Sequence, residues 1–293
     1  MDWERTINIF IIAFLVLNLA FVFQLWLLPV FFDPSNYVSP EQIQATLEEL
    51  EYSGIAVTAK VPRRMKRLQL LGVSNVLFRE EEVAASLIGE KFERVASGAK
   101  SEYRSALGEV DIYVDGRIHY LSALPPENGD IAISAARKRA DQFLEDTVGR
   151  PRDSIAGKTA ARPDGTWAVE YIQRWHGKEL EVSRIVVVVD QSGSIIELDY
   201  YWVEVMGYSG ESLLSIPATA ALTVAAEIMP AGSTITGIYI SWYGMPVLAD
   251  PWRASPVWVV ETEGGGKYYV NAQNGELEGE RQFPGRKTPF DVE

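Results

Sequence analysis

Hydrophobic and polar positions follow three patterns along this chain. From Ile7 to Phe32 runs one apolar stretch of 26 residues with no charged side chain, its only polar breaks being Asn8, Asn18 and Gln24. A helix of that length rises about 39 Å, enough to cross roughly 30 Å of bilayer hydrocarbon with some tilt. It also satisfies its own backbone polar groups in lipid. The stretch is longer than a secretory h-region and closes on Leu27-Leu28-Pro29-Val30-Phe31-Phe32 without a small-residue cleavage site, so an uncleaved anchor is expected.

Beyond Asp33-Pro34-Ser35-Asn36-Tyr37-Val38, a short polar stalk, the helical and strand periods take turns. Ser39-Pro40-Glu41-Gln42 predicts a capped helix start, with Ile43, Leu47 and Leu50 on one face and Gly54 as its stop. Strands are predicted over Ile55–Val61 and Leu68–Val73. A helix then begins at Glu80-Glu81-Glu82, with Val83, Leu87 and Ile88 facing inward. Strands follow at Tyr103–Leu107 and Val110–Leu121, the latter broken by an Asp115-Gly116 hairpin signal. Pro125-Pro126-Glu127-Asn128-Gly129-Asp130 is the clearest internal break.

After that break comes a helix from Ile131 to about Thr147, burying Ala132, Ala136, Ala140, Phe143 and Leu144. Strands are predicted near Ile155–Ala160, Trp167–Trp175, Ser183–Asp190 and Ser194–Val205. The order then recurs: Ser215 is expected to cap a helix from Ile216 to Met229, followed by strands near Thr234–Trp242, Val257–Thr262 and Lys267–Asn271. Two echoes mark a repeat. Trp167-Ala168-Val169-Glu170 matches Trp258-Val259-Val260-Glu261, and Val189-Asp190-Gln191-Ser192-Gly193 returns, one residue longer, as Val270-Asn271-Ala272-Gln273-Asn274-Gly275. Glu80–Leu121 is a candidate third, divergent copy. The expected fold is therefore α+β: one transmembrane helix followed by units in which a helix covers an antiparallel sheet. The expected divisions are an anchor over 1–32, a membrane-proximal α+β domain over 33–125, and α+β units over 126–210 and 211–293. This helix-then-strands order resembles small PepSY-like modules.

Charge and composition narrow the function. With 27 Lys+Arg against 40 Asp+Glu the net charge is -13, which disfavours nucleic acid and anionic lipid as targets of the body. Zero cysteines exclude disulfides, thiol nucleophiles and zinc-thiolate sites, and two histidines leave little for a metal or triad site. The largest basic cluster, Arg63, Arg64, Lys66 and Arg67, reads either as a contact for phosphate or an acidic partner or as a solvated loop. Arg5 is the one basic residue before the anchor, and none follows it until Lys60, so the N-terminus is expected in the cytoplasm and the body outside.

No catalytic, cofactor or metal residue emerges. Glu263-Gly264-Gly265-Gly266-Lys267 lacks phosphate-loop spacing and reads as a hairpin, and Gly207-Tyr208-Ser209-Gly210 fails the nucleophile-elbow pattern at Glu211. His176 reads as a turn residue and His119 as a strand residue, neither with an evident partner for acid–base work. Interaction residues are the better candidates. At about 100° per residue Thr6, Ala13, Ala20 and Gln24 lie on one stripe about 40° wide, where small side chains permit close helix approach and Gln24 can hydrogen-bond across it. Asn18 lies elsewhere and is positioned for a second helix. Among the aromatics crowding the last third, Trp242, Tyr243 and Trp252 sit in Gly/Pro-rich, loop-like sequence and are candidates for an extracytoplasmic interface.

Met1-Asp2-Trp3-Glu4-Arg5-Thr6, Ile9-Phe10-Ile11, Phe14-Leu15 and Leu17-Asn18 resemble the opening of the YycI branch of the YycH/YycI proteins. Trp252-Arg253, Pro256-Val257-Trp258 and Tyr268-Tyr269-Val270-Asn271-Ala272 resemble its C-terminal part. That resemblance implies a single-pass, non-enzymatic regulator of the WalK (YycG) sensor histidine kinase, partnered by the kinase and a YycH-like protein. Two other classes stay open on the sequence: a membrane-tethered PepSY-like module that inhibits a protease or binds a wall component, and a wall hydrolase with paired carboxylates.

Overall fold

A computed structural model describes residues 3–27 and 36–281. Met1-Asp2, the end of the apolar run at 28–32, the expected stalk residues 33–35 and the end of the last expected unit at 282–293 lie outside the described residues. The apolar run forms α1 (Trp3–Val22), continued by a π-helical turn over Phe23–Leu27. Next come α2 (Pro40–Tyr52), β1 (Ala56–Val57), β2 (Arg67–Asn75), α3 (Glu80–Ile88), β3 (Glu93–Ser97), β4 (Lys100–Ser105), β5 (Gly108–Tyr113) and β6 (Ile118–Ser122). Then follow α4 (Ile133–Asp146), β7 (Ser154–Ala161), β8 (Trp167–Trp175), β9 (Lys178–Val189), β10 (Ile195–Tyr201) and β11 (Val203–Leu214). The described chain ends with α5 (Ala218–Ala226), β12 (Thr234–Tyr243), β13 (Trp252–Thr262), β14 (Lys267–Asn271) and β15 (Leu277–Arg281).

Local chemistry explains the best-predicted elements. Ser39 accepts the Gln42 N–H while the Gln42 side chain accepts the Ser39 N–H, closing the capping box that starts α2. His176 (φ 47°) and Gly177 (φ 77°) are both left-handed, as a two-residue turn joining β8 to β9 requires. Other expectations are corrected. Ile55–Val61 yields only the two-residue β1, paired in parallel with β12, because Thr58 and Ala59 turn their N–H groups onto the single Ile235 carbonyl. Ser215 does not cap α5. It is buried and its hydroxyl accepts the Lys66 N–H, and the helix starts beyond Pro217.

Three copies of a helix followed by four strands are present: α3 with β3–β6, α4 with β7–β10, and α5 with β12–β15. The first two merge into one eight-stranded antiparallel sheet, order β3-β4-β5-β6-β10-β9-β8-β7, where each copy contributes its last strand to the middle. Helices α3 and α4 bury Val83, Leu87, Ile88, Ala136, Ala140 and Leu144 against that sheet's Tyr103, Tyr171, Ile185 and Leu198. Ala132, expected on the same face, is exposed at the start of α4. In the second sheet β12, β13, β14 and β15 are joined by β1, and the first residues of β13 pair with β2, which pairs with β11. Helices α2 and α5 cover it through Leu50, Ala218, Ala221, Leu222 and Ala225.

Sheet membership therefore does not follow the sequence cuts at 125/126 and 210/211. Residues 36–75 join the C-terminal sheet, and β6 and β10, on opposite sides of the Pro-Pro break, are hydrogen-bonded neighbours. The extended segment β10–β11 passes from one sheet to the other at Trp202, whose indole donates to Asp153.

The repeat is carried by one hydrogen-bond motif. Trp167 pairs with Val189 and Trp258 with Val270. Each indole N–H donates to the carbonyl of an isoleucine two residues ahead of its helix, Ile131 at 3.2 Å and Ile216 at 3.0 Å. The N–H of each isoleucine donates back to the echoed turn, at the Gln191 and Ala272 carbonyls. Within those turns Asp190 and Asn271 accept the N–H groups of Ser192 and Gln273. The tryptophan thus ties helix entry, strand pair and turn together in both copies.

Candidate interaction sites

α1 presents apolar side chains all round, with Phe10 72% and Leu17 53% exposed. Its window Thr6–Leu25 is long and apolar enough to span a bilayer and is not covered by the other described residues. Thr6, Ala13 and Ala20 recur every seven residues, and Phe10, Leu17 and Gln24 occupy the position four residues after each. On a helix these six alternate small and large along one seam, the spacing of left-handed helix packing, with a polar residue at its end. Gln24 falls within the π turn, so the seam ends where the helix widens. Asn18 lies about 120° from Thr6 at the α-helical step, and one of its amide hydrogens bonds to the Phe14 carbonyl of its own helix at 2.8 Å.

The aromatic residues expected at an extracytoplasmic interface are core residues. Trp242, Tyr243 and Trp252 are all buried. Trp242 donates to the Gln69 carbonyl at 2.9 Å, and Trp252 donates to Asn75 Oδ1 at 3.0 Å, an oxygen that also accepts from the Tyr201 hydroxyl. Tyr243 stacks on Tyr269, with ring centroids 4.0 Å apart. The loop-like sequence around them misled because Gly244 serves close packing: a Cβ there would meet Trp252 Cζ3 at 2.6 Å. Exposed apolar groups of the body include Met206, Tyr208, Leu213 and Leu214 on β11 and Met245, Val247 and Leu248 beyond β12.

A buried ionic cluster welds the two sheets and has no counterpart in the sequence reading. A three-residue irregularity in the β8–β9 register releases Glu181, Val182 and Ser183 from regular pairing, and such bulges re-aim side chains. Glu181 is 2% exposed. Its carboxylate accepts from Lys267 Nζ at 2.6 Å and from the Tyr239 and Tyr269 hydroxyls at 3.0 Å each. Burial, reinforced by the neighbouring Glu181 charge, pushes the Tyr239 hydroxyl well above its ordinary pKa. Every strong donor here is satisfied by a protein acceptor, which suits a structural clamp. No local pattern marks Glu181, because its partners lie on the second sheet, 58 to 88 residues away in sequence.

The histidines and glycine motifs lie where structure accounts for them. His119 Nδ1 contacts Asp199 at 2.7 Å across the β6–β10 pair, and the hydrogen bond to Asp199 raises its pKa. His176 stacks on Trp175 at the turn. Glu263–Gly266 forms the β13–β14 hairpin. Among the described residues no group of three or more His, Cys, Asp or Glu is placed to hold a metal ion.

Solved structures that share similarity with this chain include the following two. The Bacillus megaterium YpeB C-terminal domain aligns with a TM-score of 0.41 at 12% identity, covering 71% of this chain and 99% of that one. An uncharacterized protein from Eubacterium rectale aligns with a TM-score of 0.46 at 10% identity, covering 76% of this chain and 90% of that one. Neither score carries an argument about fold or function, and no curated protein matches the sequence. The YycI protein profile matches residues 34–273, from just beyond the apolar run into the second echoed turn. The chain belongs to the YycI family, whose members are regulators associated with WalK/YycG two-component signalling and not enzymes.

Proposed function

We propose that this chain regulates a WalK/YycG-type sensor histidine kinase by direct contact, together with a YycH-like partner, in control of cell-wall homeostasis. In this reading α1 spans the membrane with its N-terminus in the cytoplasm, and the α+β body, built of PepSY-like units, stands outside. The observation that carries the reading is the α1 seam in a family of regulators: Thr6, Ala13 and Ala20 alternate with Phe10, Leu17 and Gln24 on a helix the body leaves uncovered. Lipid tails offer no hydrophobic drive for helix association, so close packing of small residues and a polar contact are what select a partner helix. Asn18, on a different face, suits a second helix, which allows a bundle of regulator, YycH-like protein and kinase.

Regulation then follows from thermodynamics. A bound regulator shifts the kinase between signalling states only by the difference in its contact energy with the two. A shift from 1:99 to 99:1 needs about 5.5 kcal/mol of difference, more than one membrane hydrogen bond supplies, so the body contributes contacts as well. The test is recovery of the kinase from membranes with the full chain and with Gln24→Leu and Asn18→Leu. Reduced recovery with unchanged expression supports the reading, and undiminished recovery with both variants contradicts it.

A further inference from the structure

The basic run Arg63, Arg64, Lys66 and Arg67 is a spacing of charges along the sequence until the fold shows what it is attached to. Asn36 to Val38, the first described residues after the membrane segment, form a short ladder with Arg63 to Met65. Val38 N–H donates to the Arg63 carbonyl, and Met65 N–H to the Asn36 carbonyl, both at 2.8 Å, around an antiparallel bridge between Tyr37 and Arg64. The Arg64 guanidinium lies 6.0 Å from the Tyr37 ring centroid, and Arg63 Nε reaches the Val38 carbonyl. Lys66 and Arg67 are held alongside through the Ser215 hydroxyl and the Ser212 carbonyl. All four basic residues are exposed.

Chain continuity sets their height above the membrane. The apolar run ends at Phe32, five residues before Tyr37. Five residues span at most about 18 Å. The headgroup layer itself extends about 5–8 Å beyond the hydrocarbon, with charge felt about 8 Å further at physiological salt. Four positive charges are thus tethered within reach of the phosphate layer, on a protein whose net charge is -13. Glu41, in the first turn of α2, lies close enough to Arg63 for their charges to interact. The rest of the acidic body is repelled by an anionic surface while this patch is attracted, so the charge asymmetry is arranged to orient the body.

We propose that Arg63, Arg64, Lys66 and Arg67 form a membrane-facing foot that binds the phosphates of anionic glycerophospholipids in the bilayer holding α1. The proposal departs from the expectation, drawn from net charge alone, that anionic lipid is disfavoured as a target of the body. The inference rests on α1 being inserted in a membrane and not on the identity of any protein partner. Near an anionic surface each basic side chain is worth about a fivefold change in occupancy, reduced by salt.

The test uses the full chain with Lys60→Cys, its only cysteine, carrying a fluorophore. Incorporated into nanodiscs, it is read by energy transfer to a headgroup-labelled lipid. Transfer is expected to be higher with phosphatidylglycerol present than in phosphatidylcholine alone, and to fall towards the phosphatidylcholine value at high salt. It should lose its lipid dependence in the Arg63→Gln/Arg64→Gln/Lys66→Gln/Arg67→Gln variant. Should that variant fold poorly by circular dichroism, the single variants Arg64→Gln and Lys66→Gln each predict about a fivefold fall in the docked-to-undocked ratio. Equal transfer in the two lipids overturns the foot, whether the patch binds a soluble polyanion, a protein or nothing. Failure to incorporate into either nanodisc contradicts the anchor itself and overturns the inference with it.

Discussion

Along α1 the large side chains lie open, Phe10 at 72% and Leu17 at 53% exposure, whereas in the body Trp242, Trp258 and Tyr269 are at most 1% exposed. The body buries its largest aromatic side chains in its own cores. Even its buried charge is internal, with Glu181 and Lys267 locked between the two sheets. The anchor has done neither, and in the proposed reading its apolar surface is completed by lipid and by other helices. Lesions in the two regions should therefore separate: body substitutions lower stability and leave the membrane contact intact, and anchor substitutions do the reverse.

The largest effect is expected at the repeat's tie. Trp258→Ala removes a fully buried ring and its bond to the Ile216 carbonyl, and should lower unfolding free energy by about 3–5 kcal/mol, read by denaturant titration. Next, Glu181→Ala leaves Lys267 charged and unpaired in a dry site, at a cost of about 3–5 kcal/mol before relaxation. The double variant Glu181→Leu/Lys267→Met should recover most of that loss, since replacing both partners removes the desolvation penalty. If the single variant were as stable as the parent, the two sheets would not be held by this cluster.

On the other side of the comparison, Gln24→Leu should leave the denaturation midpoint of the body unchanged while weakening association with a partner helix in the membrane by about 0.6–1.7 kcal/mol. A body that melted earlier would break the separation. The smallest effect concerns His119. Its pKa is raised by the hydrogen bond to Asp199, so its contribution is full below about pH 6.5 and is lost as pH rises through the folded-state value. Both side chains are well exposed, which limits the contribution to less than about 1 kcal/mol. Asp199→Asn should therefore narrow the stability difference between mildly acidic and alkaline buffer without changing the alkaline value.

What the sequence disclosed follows the range of the interactions. The α2 capping box, the His176-Gly177 turn and the Trp-centred repeat depend on residues close along the chain or on repeated words, and all were readable. β3 was missed because Glu93-Arg94-Val95-Ala96-Ser97 carries charge without clean alternation, as suits the outermost strand of its sheet. Joining β2 to β11 and β13 rests on pairings over more than a hundred residues, such as Trp252 to Asn75, for which no local pattern exists. The same range hid the burial of Trp242, Tyr243 and Trp252, where a glycine that admits an indole ring looks like a glycine that makes a loop. The basic foot was visible as charges, but its position beside the anchor depends on the Tyr37–Arg64 bridge.

The central claim, that one seam of α1 meets a kinase helix, is tested most directly by a cysteine scan, because the chain has no native cysteine. Single cysteines at Ala13 and Ala20 on the seam, and at Leu15 and Val22 on the opposite face, would be crosslinked in membranes to a cysteine-bearing transmembrane helix of the kinase. The account predicts adducts at Ala13 and Ala20 and little at Leu15 and Val22. Equal yields around the helix, or adducts confined to Leu15 and Val22, would contradict it.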